Sequence, residues 1–193
     1  MNRIFALAFL FIGSPVLLAI WMLVFFTSPG PAIFSQKRVG LFGDYFFMYK
    51  YRTMVVGTPD LPSDQVSESD PCFTKVGKKL RRVSLDELPQ LWNIIMGEMN
   101  FIGPRPALYN QYDLIAMRKE LGVDTLKPGI TGWAQVNGRD SISLERKVEL
   151  DYFYLQHRSW SLDLKILWMT VFKSAKGEDL YCAHTSGEKN GQQ

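Results

Sequence analysis

The stretch Arg81-Arg82-Val83-Ser84-Leu85-Asp86-Glu87-Leu88-Pro89-Gln90-Leu91-Trp92-Asn93, closed by Phe101-Ile102-Gly103-Pro104-Arg105-Pro106, organises this chain. Two adjacent carboxylates follow two arginines at the entrance of a helix, and a proline-bracketed arginine stands at the far end. Ser84 with Glu87 three residues on fits a capping box. That would place Asp86 and Glu87 in the first helical turn, where free backbone N–H groups and the helix dipole favour negative charge. Pro89 fits a second arrangement, a short turn at Ser84 and a helix that starts at Pro89. Helix N-termini commonly carry Asp and Glu, so the pair has a structural explanation beside a catalytic one. Leu91, Trp92, Ile94, Ile95, Met96 and Met99 supply a stripe for a core or a membrane.

Composition narrows the setting. The chain has 193 residues, enough for one domain with its own core. A net charge of +3 with 21% charged residues is far from a nucleic-acid-binding composition and suits a membrane surface or an anionic small substrate. Cys72 and Cys182 show neither disulfide-framework nor zinc spacing. His157 and His184 are the two histidines, and no triad motif surrounds either.

From Ile4 to Phe26 the chain carries no charge. As a straight helix this run would be about 34 Å long, enough for a hydrocarbon core of about 30 Å. It is long for a signal-peptide core, and no small-x-small cleavage site follows before Thr27-Ser28-Pro29-Gly30-Pro31. Gly13-Ser14-Pro15 interrupts it halfway, since Pro15 has no N–H to donate and Ser14 can bond a carbonyl so freed. Either Pro15 kinks a spanning helix, or the break turns the segment back to the face it entered. Arg3 precedes the run and Lys37 and Arg38 follow it; a re-entrant path keeps all three with the cytoplasm, as the positive-inside tendency favours.

The rest of the chain reads as short elements. Ala32–Gly40 and Tyr45–Met54, joined through Gly43-Asp44, form a hairpin whose alternation places Lys50 and Arg52 on one face. Val56–Pro71 is an acidic, proline-containing loop, after which Lys75, Lys78, Lys79, Arg81 and Arg82 make a basic cluster suited to a solvated face, anionic headgroups or a polyphosphate. Gly103-Pro104-Arg105-Pro106 presents one guanidinium on a rigid turn, suited to fork onto phosphate. Helices are expected over Ala107–Leu121, Ser143–Gln156 and Ser161–Lys173, the last with the residue mix of an interfacial or a core helix. The glycines of Lys127-Pro128-Gly129-Ile130-Thr131-Gly132-Trp133-Ala134-Gln135-Val136-Asn137-Gly138-Arg139 permit close backbone approach to a ligand.

With these residues in hand, the chain resembles the bacterial monotopic phosphoglycosyl transferases, the polyprenol-phosphate sugar-1-phosphate transferases of the bacterial sugar transferase family. The resemblance rests on Lys50-Tyr51-Arg52-Thr53-Met54, Ser84-Leu85-Asp86-Glu87-Leu88-Pro89-Gln90, Phe101–Pro106, Lys127–Arg139, Leu150-Asp151 and Leu162-Asp163-Leu164, and it runs from Ser14-Pro15 to Asp163. One such block would be weak; several in order are specific. A Glu188-Lys189-Asn190-Gly191 tail is similar to the members that start Campylobacter-type N-glycan assembly.

The resemblance implies an α+β fold: a mostly helical, membrane-associated domain with a small β-hairpin or sheet, interfacial amphipathic helices and an N-terminal re-entrant helix-break-helix broken at Ser14 and Pro15. Residues 1–28 would be the anchor, 29–176 the catalytic domain on the cytoplasmic face of the bacterial inner membrane, and 177–193 a loose tail. Asp86 would attack the sugar-bearing phosphate of a UDP-sugar, releasing UMP, and polyprenol phosphate would then take the phosphosugar. Glu87, with Asp86, would hold Mg²⁺ or help the acceptor. Arg105 and Arg139 would clamp phosphate or nucleotide, with Lys50, Arg52 and Arg82 behind them. Asp151 and Asp163 would partner those arginines. Downstream glycosyltransferases would extend the product. The physical logic agrees, since a carboxylate nucleophile divides one hard transfer into two steps and Mg²⁺ needs few protein carboxylates beside phosphate oxygens. Two rivals remain at this level: a tethered, catalytically degenerate scaffold, and a membrane-spanning glycosyltransferase that releases UDP. Diacetylbacillosamine, N-acetylgalactosamine and N-acetylglucosamine are the sugars considered, with the tail tilting toward the first.

Overall fold

A computed structural model describes residues 2–59, 71–138 and 141–176, with side chains to residue 173. The fold is α+β. It opens with α1 (Asn2–Thr27), an apolar helix that contains Pro15. The N–H that Pro15 lacks would have bonded the Phe11 carbonyl, and Ser14 Oγ donates to that oxygen at 2.8 Å instead. The gap expected at Ser14–Pro15 therefore exists in the hydrogen-bond ladder, but the helix continues through it.

Only 11% of the most apolar window of α1 is buried, so it is not the core helix of this body. Phe11 and Ile12, near its middle, are 82% and 77% exposed. Both ends nevertheless rest on the remainder of the protein. Near the start, Ala6 packs with Phe46, Met48, Leu91, Ile94 and Met99, and Asn2 and Arg3 donate to Asn100 Oδ1 and the Met96 carbonyl. Near the end, Ile20 and Val24 join Ala32, Tyr51 and Leu80, with Leu85 and Leu88 against them.

The expected hairpin forms from β1 (Ile33–Val39) and β2 (Tyr45–Tyr51), antiparallel, with Phe34 opposite Lys50 and Arg38 opposite Phe46. The basic cluster is helical: α2 (Lys75–Arg82) is capped by Thr74, whose side chain accepts from Gly77 N at 2.9 Å. Gly77 lies against the Thr53 backbone, where a Cβ would collide. Next comes a 3₁₀ turn, Leu85–Glu87, then α3 (Gln90–Met96). Ser84 is left-handed (φ 55°) and its side chain makes no capping bond, so the capping box does not form and the helix starts after Pro89. Gly97, at φ 85°, ends α3.

Two three-residue strands, β3 (Asn100–Ile102) and β4 (Gly129–Thr131), pair in parallel. Between them α4 spans Tyr112–Glu120, shorter than the pattern over Ala107–Leu121 suggests. The reason is tertiary: Ala107 accepts from Val39 N at 2.9 Å and Leu108 bridges Arg38, so these residues extend the hairpin edge. α5 (Trp133–Val136), α6 (Leu144–His157, capped by Ser143) and α7 (Trp160–Lys176) complete the body around Leu126, Val136, Tyr154 and Ile166. Trp160, Leu164, Trp168, Val171 and Phe172 on α7 stay exposed. The expected tail and most of the acidic loop lie outside the described residues.

The glycine-rich block serves backbone against backbone. A Cβ on Gly129 would meet Gly103 N, and one on Gly132 would meet Gly103 O. Gly103 N donates to the Thr131 carbonyl at 2.9 Å, and Gly129 N to the Pro104 carbonyl at 3.0 Å. The close approach anticipated for a ligand is thus used to seat the Gly103–Pro106 turn. Gly129→Ala is expected to lower folding stability by about 1–3 kcal/mol, the usual scale of overpacking. A chemical-denaturation midpoint equal to that of the unmodified chain would contradict this.

Candidate functional site

The hairpin, the 3₁₀ turn and the Pro104–Pro106 turn enclose a cleft of about 240 Å³. Asp86 and Glu87 line it and are only 5% and 6% exposed. In a 3₁₀ turn successive side chains diverge by about 120°, yet both carboxylates lie close enough to act on the Lys50 amine.

Glu87 is the hub. Its Oε1 accepts from Lys50 Nζ at 2.8 Å and from both Nη1 and Nη2 of Arg105 at 3.2 Å. Lys50 comes from β2, Glu87 from the 3₁₀ turn and Arg105 from the turn after β3, so one carboxylate oxygen joins three segments. Burial lowers the Lys50 amine from its ordinary value of 10.5 to about 8; Glu87 pulls the other way, and Arg105 adds to the lowering.

Arg105 is held through its backbone. Arg118 Nη1 donates to the Arg105 carbonyl at 2.8 Å, and Arg38 Nη1 donates to the Pro106 carbonyl at 3.0 Å. Arg118 is itself fixed by Asp151, whose Oδ2 accepts from Nε at 3.0 Å and Nη2 at 2.6 Å, with both side chains buried. Asp151 therefore partners an arginine, Arg118, which was outside the expected set. Among the described residues Asp163 forms no ion pair with an arginine; it accepts from Tyr154 OH at 2.7 Å.

Of the candidate residues, Lys50, Arg52, Asp86, Glu87 and Arg105 all line the cleft. Arg82 does not; it is exposed, and Arg81 lines the cleft in its place. Neighbours on a helix point about 100° apart, and burial of Leu80 settles which arginine turns inward. Arg139 lies outside the described residues. Ser14 and Pro15 lie in α1 and do not line the cleft. Arg38 and Gln36, buried on the cleft wall, were legible through alternation, since their β1 positions share a face with Lys50. Arg118 left no such signal, because its role depends on a carbonyl 13 residues away.

Among the described residues no group of three or more His, Cys, Asp or Glu side chains converges. The dyad alone would receive a metal. Mg²⁺ typically takes one or two carboxylates with substrate phosphate oxygens and water, so the dyad fits an ion that arrives with a polyphosphate. Any share taken by Glu87 competes with Lys50 and Arg105 for Oε1. A carboxylate pair ringed by Lys50, Arg81 and Arg105 supplies cations of the kind that bind phosphate groups.

Comparison with known proteins agrees with that class. The bacterial sugar transferase family model matches residues 1–177, and the chain belongs to that family. It is 40% identical over 185 residues to the UDP-glucose:undecaprenyl-phosphate glucose-1-phosphate transferase of Escherichia coli K12, covering 92% of this chain and 40% of that protein. It is 44% identical over 153 residues to the uncharacterized sugar transferase EpsL of Bacillus subtilis 168, covering 78% of this chain and 73% of that one. With the UDP-N-acetylgalactosamine-undecaprenyl-phosphate N-acetylgalactosaminephosphotransferase of Aeromonas hydrophila, identity is 35% over 167 residues, 82% of this chain and 38% of that protein. The chain thus spans well under half of the Escherichia coli and Aeromonas relatives.

An anion bound beside Lys50 is expected to bind in a pH-dependent way. Its amine is charged below about 8 and neutral above, and a bound anion favours the charged form. Pyrophosphate affinity is expected to gain less, or fall, as pH climbs through about 8, relative to Lys50→Arg, which stays charged. Parallel calorimetric pH profiles for the two proteins would contradict a role for the Lys50 charge.

Proposed function

We propose that this chain transfers sugar-1-phosphate from a UDP-sugar to polyprenol (undecaprenyl) phosphate, yielding polyprenol diphosphate sugar and UMP. It would thereby start a glycoconjugate that downstream glycosyltransferases extend. The buried Asp86–Glu87 pair, set in a cationic cleft, is the observation that carries this reading. The names of the relatives, which act on undecaprenyl phosphate, support the acceptor.

Asp86 is the nucleophile. Its carboxylate oxygen forms a bond to the sugar-bearing phosphorus, the bond from that phosphorus to the bridging oxygen breaks, and UMP leaves with the electron pair. The resulting acyl phosphate sits at a position only 5% exposed, where water has little access. An oxygen of polyprenol phosphate then attacks the same phosphorus, and the Asp86 carboxylate leaves, restored. Lys50 and Arg105 neutralise phosphate charge while orienting Glu87. Mg²⁺, held by the dyad together with substrate oxygens, would neutralise pyrophosphate charge.

The same reading places the chain on the cytoplasmic face of the bacterial inner membrane. α1 exposes its middle and rests both ends on one body, which supports a re-entrant path. Exposed Trp160 and Trp168 on α7, and Trp92 on α3, suit an interface. The sugar stays within the UDP-sugar class; the relatives named above and one from Salmonella typhimurium carry glucose, N-acetylgalactosamine and galactose in their names.

The nucleophile is tested by intact mass after mixing with UDP-sugars and no acceptor. A phosphosugar adduct and stoichiometric UMP are expected from the unmodified chain and neither from Asp86→Asn, with EDTA suppressing both until Mg²⁺ is restored. Turnover by Asp86→Asn would overturn the assignment. Topology is tested in a chain freed of Cys72 and Cys182: Asn2→Cys and Ser35→Cys should label from the same side of a vesicle. Labelling from opposite sides would mean a spanning helix.

A further inference from the structure

Arg52 is a buried cation of the site. It is 5% exposed and lines the cleft. Lys50 and Arg105 share Glu87, and Arg118 has Asp151, but among the described residues no carboxylate pairs with Arg52. Its Nη2 donates to the Ser28 carbonyl and to Ser28 Oγ, both at 2.7 Å. Among the described residues its Nε and Nη1 are buried without a partner. A buried guanidinium without a counter-charge is costly, and the carbonyl end of α1 offsets only part of that cost.

The surroundings are arranged for this side chain. Gly30, at φ 105°, follows α1 in the Pro29-Gly30-Pro31 turn, and a Cβ there would collide with Arg52 Nη1. The same added Cβ would also crowd Val56 Cγ2, so the turn has Arg52 and Val56 as close neighbours. Ile33, Phe34, Val55 and Val56 make the cleft apolar on this side. Phe34, Val55 and Val56 are 40%, 52% and 62% exposed, large apolar side chains without a cover.

We propose that Arg52 forms a second anion subsite in the cleft, which receives the phosphate monoester of a prenyl lipid while the apolar wall takes its first isoprene units. The reading rests on the proposed transfer. A lipid acceptor arrives along the membrane-facing helix, and Arg52 sits where α1 ends, bound to Ser28. The donor diphosphate instead meets Lys50 and Arg105 at the dyad. A monoester oxygen takes the two N–H groups that the protein leaves without partners, and the prenyl chain displaces Val56 as it enters.

The test is binding, with the full chain in phosphatidylcholine nanodiscs and farnesyl phosphate as the probe. Farnesol, inorganic phosphate and phosphatidylglycerol are the comparison ligands, and pyrophosphate reports the dyad subsite. Arg52→Gln is expected to weaken farnesyl phosphate by about tenfold or more, the scale of a lost charge-assisted hydrogen bond, and pyrophosphate by much less. Arg52→Lys should regain part of the loss. Gly30→Ala, which drives the guanidinium from its place with its charge intact, should show the same selectivity and serves if Arg52→Gln fails to fold. Equal farnesyl phosphate binding by the unmodified chain and the variants would overturn the proposal. So would equal losses for both anions, which would mean one shared subsite, or equal affinity for phosphatidylglycerol, which would mean a general headgroup contact. Because no turnover is read, failure of the proposed reaction would appear separately, as absence of UMP and adduct.

Discussion

A carboxylate removed from water must find cations, and Glu87 finds two on one oxygen. That demand ties β2, the 3₁₀ turn and the Pro104–Pro106 turn together, because none of the three segments supplies both charges. Loss of either cation would leave a buried charge under-compensated, which is far costlier than loss of an exposed pair. The same contact holds the Lys50 amine and the Arg105 guanidinium in the lining of the cleft.

Behind this contact stands an order of support. Arg105 is oriented by two proline neighbours, by carbonyl contacts from Arg118 and Arg38, and by glycines that let β3 and β4 approach closely. Arg118 in turn needs Asp151. Each layer is buried more completely than a solvated arginine would tolerate alone, so the network is satisfied as a whole or not at all. This rigidity suits chemistry that depends on the placement of charge.

α1 belongs to the same construction. Its first turn bonds the end of α3 through Arg3 and the Met96 carbonyl, and its last turns pack on Leu85 and Leu88, which flank the dyad. The helix is thus tied at its start to α3 and near its end to the turn that carries Asp86. The carbonyl freed by Pro15 is satisfied locally by Ser14, which lets an apolar helix carry a proline without exposing an unpaired polar group.

Local chemistry made much of this legible in the residues alone. The hairpin followed from alternation and from Gly43-Asp44, α6 from Ser143 and its helical pattern, and the dyad from two carboxylates beside arginines. Those signals act over a few residues, so they survive in the sequence. The sequence left the start of α3 open between Ser84 and Pro89, and the choice of Arg81 over Arg82 was not legible, because the burial of Leu80 arises from packing against α1 and β2. The pairing of Asp151 with Arg118, the use of Gly129 and Gly132 against Gly103, and the seating of Arg52 on Ser28 are likewise contacts between distant segments. The sequence by itself determined which side chains could do phosphate chemistry and where the chain turns. Only the tertiary structure decided which charges are buried together, since desolvation and pairing are properties of a packed site and not of any one segment.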